Sequence, residues 1–63
     1  MKESATIIFR DAESSDEAVA IIRYDTNHVA LCLSLKSDGD LEVVMEKEDA
    51  RRLLVALEQS LKS

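Results

Sequence analysis

The chain has 63 residues, one cysteine, one histidine, no proline and a formal net charge of −5. That length holds one domain at most; a single cysteine excludes an intrachain disulfide, and one histidine with one cysteine excludes a structural zinc site. No apolar run approaches the roughly 20 residues of a membrane span, and the polar start MKESATIIF lacks the apolar stretch of a signal peptide, which makes the cytoplasm the expected location.

Hydrophobic residues make up 46% of the chain, too many for a disordered composition. The only aromatics are Phe9 and Tyr24, so the core must be built from Ile, Leu, Val and Ala. Ordering costs roughly 1.5 kcal/mol per residue and apolar burial returns about 25 cal/mol per Å², which leaves so short a chain near balance. With disulfide and metal set aside, oligomerisation is the expected remedy. Charge is uneven. Residues 1–46 carry ten acidic and four basic side chains (−6), and residues 47–63 carry three acidic and four basic (+1). The acidic part argues against a phosphate-binding surface, because nucleic-acid affinity comes mainly from Lys and Arg.

Residues 4–10 alternate Ala5, Ile7 and Phe9 with Thr6, Ile8 and Arg10, which predicts a first strand. Met1 to Glu3 are expected to fray. Residues 11–17 (DAESSDE) are expected to form a loop, although the same residues could open a short helical turn. Residues 18–24 predict a second strand; the face with Ala20, Ile22 and Tyr24 is assigned to the core because this keeps Arg23 in water. Asp25 to Asn27 predicts a turn. Residues 29–35 predict the clearest strand, with Val29, Leu31, Leu33 and Leu35 on one face. Asp38-Gly39, between two alternating runs, is a hairpin signal, and Gly39 is the only glycine. Residues 41–45 return as a fourth strand with Leu41, Val43 and Met45 inward. From Lys47 to Lys62, Ala50, Leu53, Leu54, Leu57 and Leu61 form one helical stripe. The expected fold is α+β: a four-stranded antiparallel sheet followed by one C-terminal helix packed on one face (ββββα), in one domain spanning 1–63.

One helix covers one face. The other would display Ile8, Val19, Ile21, Ala30, Cys32 and Val44 among its polar residues, which is apolar for a solvated face. This predicts a homodimer formed through that second face or through an edge strand.

No constellation predicts catalysis. His28 and Cys32, four residues apart on a strand, stand about 13 Å apart, far beyond the hydrogen-bond reach of a working dyad. Asp38, Asp40 and Glu42 lack the twelve-residue loop of an EF-hand, and one glycine cannot build a phosphate-binding loop. The sequence nominates no catalytic, cofactor-binding or metal-ligating residue. The strand–helix order resembles, in topology, the single-stranded-DNA-binding domain of positive-cofactor transcriptional coactivators. That resemblance implies a dimer binding through basic and aromatic strand residues. No motif matches residue by residue, so no site is carried over. The leading expectation is a homodimeric protein-interaction module, with the acidic 11–17 loop or the helix exterior at Arg51, Arg52 and Val55 as contact surface. The alternative is single-stranded nucleic-acid binding through Arg10, Arg23, Tyr24 and Lys36.

Overall fold

An alternation with the bulkier apolar residues on one side builds a sheet with two unlike faces. In the computed structural model, which describes residues 1–63, the strands are β1 (Lys2–Arg10), β2 (Glu17–Tyr24), β3 (His28–Leu35) and β4 (Gly39–Glu46). They form one antiparallel meander in the order β1-β2-β3-β4. Helix α1 (Lys47–Leu61) follows directly. The ββββα architecture read from the sequence is the observed one.

The register settles the faces. Phe9 lies opposite Ala18, Ile7 opposite Ala20 and Ala5 opposite Ile22. Ala18 then meets Leu35, Ala20 meets Leu33 and Ile22 meets Leu31. Leu33 pairs with Leu41, Leu31 with Val43 and Val29 with Met45. Cross-strand neighbours share a face, so these residues and Tyr24 make one apolar inner face, as the alternation predicts. Thr6, Ile8, Ile21, Arg23, Ala30, Cys32, Glu42 and Val44 occupy the outer face.

Of the three residues expected to fray, Lys2 and Glu3 belong to β1. Lys2 pairs with Tyr24 and Glu3 with Arg23, and the register shifts between Glu3 and Ala5. That irregularity leaves Ser4 as an extra residue. It turns Glu3 toward Thr6, whose hydroxyl donates to Glu3 Oε2 at 2.7 Å.

Short polar side chains organise the turns. Between β1 and β2, the Ser15 N–H donates to the Asp11 carbonyl at 2.9 Å, closing one helical turn. Ser15 itself has φ 63°, a left-handed conformation that stops the helix from continuing. The segment is therefore a loop containing a single helical turn. Asp11 Oδ2 accepts from the Ser14 N–H at 2.9 Å and from its hydroxyl at 2.7 Å. Between β2 and β3, Asp25 Oδ1 accepts from the N–H groups of Asn27 and His28 at 2.9 and 2.7 Å. Between β3 and β4, the Asp38 N–H donates to the Leu35 carbonyl at 3.2 Å, and Gly39 follows with φ 85°. This three-residue loop is a turn closed by a left-handed residue. It is also tied sideways: Asp16 accepts from the N–H and hydroxyl of Ser37, and the Lys36 N–H donates to the Glu17 carbonyl.

α1 begins without a loop. Glu46 is extended (φ −68°, ψ 154°) and caps nothing with its side chain; Glu48 and Asp49 place negative charge in the first turn, where the helix dipole favours it. The helix ends at Leu61, with Lys62 as its cap.

Two outcomes test this account. Gly39→Ala forces a Cβ into a left-handed position with open space around it, so it should cost about 1–2 kcal/mol from backbone conformation alone, read as a lower urea midpoint. Hydrogen bonds from Ser14 hold the Asp11 carboxyl below its usual range, and the backbone N–H of Asn27 is first among the causes that do the same for Asp25. Both depressed carboxyls stabilise the fold above the ordinary aspartate range, and that contribution is lost as pH falls from that range through their lower folded-state midpoints. An NMR titration should show both midpoints below the ordinary aspartate range.

Candidate functional site

The most distinctive surface is the apolar inner face, because α1 covers so little of it. Only Ala18 and Ala30 are fully buried, and no large side chain is. The helix touches only β3 and β4 of its neighbours to any extent, and its stripe lies over Ile22, Val29, Leu31 and Met45 at one end of the sheet. Exposure rises along the stripe, from 40% at Leu53 through 56% at Leu57 to 85% at Leu61. Leu54 is also 56% exposed, so the helix is thinly covered from its middle onward and its last stripe residue is left open. Beyond its reach, Ile7, Phe9, Leu33, Leu41 and Val43 remain exposed, Leu41 at 65%. Phe9, Leu33, Leu35 and Leu41 line an open groove whose rim carries Asp11, Asp38 and Asp40.

The outer face is better sealed than its sequence implies. Arg23 Nη1 meets Glu42 Oε2 at 3.2 Å. Arg23 stands opposite Ala30 on β3, and Glu42 stands opposite Cys32. The ion pair thus runs diagonally across β3, and Ala30 beneath it is 1% exposed. At such exposure the pair adds about 0–1 kcal/mol; its larger effect is to lay two aliphatic stems over Ala30. Cys32 is half-buried beside this pair. Ile8 and Val44 remain exposed here. The sequence pattern shows Arg23 and Glu42 as outward residues, but their pairing across two strands depends on register.

His28 sits at the opposite end of β3 from the acidic rim. Its Nδ1 lies 3.3 Å from Asp25 Oδ1 and its Nε2 lies 3.6 Å from Glu46 Oε1. It and Cys32 occupy the same strand four residues apart, and nothing brings them together. No group of three or more His, Cys, Asp or Glu side chains is arranged to hold a metal ion. No helix is long and apolar enough to cross a membrane.

The residues proposed for nucleic-acid contact do not converge. Arg10 and Arg23 lie on the outer face, Tyr24 on the inner face and Lys36 in the β3–β4 turn. Arg10 donates to the Ser15 carbonyl at 3.0 Å, and Arg23 is paired with Glu42. On the helix exterior, Arg52 lies 3.5 Å from Asp49, and Arg51, Arg52, Val55 and Gln59 line a shallow depression. The acidic 11–17 loop stands at the sheet end where the Leu35–Gly39 turn also lies, joined to it through Asp16.

Comparison with protein-family models, with curated proteins and with solved structures finds no match.

Because no basic–aromatic surface forms, fluorescence anisotropy with single-stranded oligonucleotides should stay flat at low salt, where phosphate contacts are strongest. Binding that weakens steeply with added salt would reverse this reading.

Proposed function

We propose that this chain is a non-enzymatic, homodimeric protein-interaction module. The observation that supports it is the apolar surface left outside: a fold without one large buried side chain lacks the burial from which a domain draws its stability. A second chain supplies that burial. A face of Ile, Leu, Val and Phe, without a convergent set of polar or titratable groups, offers a substrate nothing to orient it, and this favours binding over catalysis. The acidic end of the sheet, with Asp11, Asp16, Asp38 and Asp40, would favour a basic protein surface. The free thiol of Cys32 fits a reducing, cytoplasmic setting.

Sedimentation equilibrium across a concentration series tests the dimer. The expected mass is twice the 7.0 kDa of one chain, falling toward a single chain only on dilution. A folded 7.0 kDa monomer at every concentration would overturn the proposal.

A further inference from the structure

The surface of one chain is too large for its mass. Its accessible area is 5164 Å². A folded monomer of 7.0 kDa is expected to expose about 4,000 Å², so about 1,100 Å² is in excess. A standard protein interface removes about 800 Å² from each partner. The Cα radius of gyration agrees: it is 12.7 Å, against about 10.6 Å for a closed domain of this length. Two apolar surfaces of the same chain contribute to the excess. One is the open half of the inner face, around Ile7, Phe9, Leu33 and Leu41; the other is the exposed end of the α1 stripe, at Leu57 and Leu61.

These two surfaces are complementary. Both are apolar where they are exposed. The docking half of the helix, from Leu54 onward, carries one acidic and one basic residue, Glu58 and Lys62, and so brings no net charge against the acidic sheet, whereas sheet against sheet would oppose two acidic bodies. A two-fold axis satisfies both surfaces at once, because whatever one copy gives the other receives in return.

We propose that a second copy of this chain occupies the open inner face. The C-terminal half of each α1 seats its Leu57 and Leu61 on the Ile7, Phe9, Leu33 and Leu41 half of the other copy's sheet. This rests on the dimeric reading above and adds its interface. The outer face, with Arg23, Glu42 and Val44, and the free edge of β1 stay outside the contact.

Single-cysteine chains test it. In a Cys32→Ser background, each chain carries one introduced thiol, so every disulfide joins two chains. Leu61→Cys mixed with Ile7→Cys should give the mixed disulfide about tenfold or more faster than Leu61→Cys mixed with Ile8→Cys on the outer face, because docking raises the effective concentration of the first pair only. As a second measurement, Leu61→Glu should weaken the dimer by at least about tenfold, or 1.4 kcal/mol. In the isolated chain that residue is 85% exposed, so its replacement leaves the fold of each copy intact. Val44→Glu should leave association unchanged. A wild-type dimer that keeps its affinity in Leu61→Glu, loses it in Val44→Glu, or cross-links equally to Ile7→Cys and Ile8→Cys overturns the interface while the dimeric module stands. A wild-type monomer overturns both.

Discussion

The structure depends on how far a helix can reach when no loop precedes it. α1 starts at Lys47, one residue after β4 ends at Glu46. β4 is an edge strand, so the helix is anchored at one corner of the sheet. Fifteen residues of helix extend about 22 Å. Four strands spaced about 4.8 Å apart offer a face wider than one helix of about 10 Å diameter. From Glu46, α1 lies over one end of that face, above Ile22, Val29, Leu31 and Met45. A longer connection would have let the helix settle along the middle of the sheet. The open apolar half, the exposed Leu61 and the excess surface all follow from that junction.

The sheet itself rests on local chemistry rather than on a core. Its two central strands, β2 and β3, hold the half-buried residues, whereas the edge strands are exposed along most of their length. Asp11, Asp16 and Asp25 each bind backbone N–H groups at strand ends. Each carboxylate thus acts as a clasp where the backbone leaves the ladder and would otherwise have unpaired donors. The Asp16–Ser37 contact joins the first and third turns, which fixes the end of the β1–β2 hairpin against the β3–β4 hairpin. The acidic composition that argues against phosphate binding therefore has a structural use.

Much of this was legible in the residues. Period-two alternation assigned Ile7, Ile22, Leu31 and Val43 to one face, and pairing places them there, because a one-residue slip would have turned every strand over. Asp38-Gly39 marked the last hairpin, with Gly39 at the left-handed position. Strand ends were harder, since the order of Lys2 and Glu3 comes from Tyr24 and Arg23, about twenty residues away in the chain. The mixed letters of 11–17 held two options, and a left-handed Ser15 combined them. The largest gap was the helix. Its stripe showed which residues are apolar and carried no information on the angle at which α1 leaves β4. The outer face, with its aliphatic residues, therefore looked like the exposed apolar surface, while the inner face proves the more open. No pattern of single residues could show that Arg23 and Glu42 would close over Ala30.

The meander has a kinetic consequence. Every ladder joins strands adjacent in the chain, the connections are short, and the widest pairing links Lys2 to Tyr24. Sheet proteins are usually slow folders because distant segments must find each other first. Here three successive hairpins can zip in turn, each on the microsecond scale of an isolated hairpin. Little search within the chain remains. In the proposed dimer, the slow, concentration-dependent event would be the meeting of two finished sheets, and in dilute solution that meeting would set the pace at which the dimer appears.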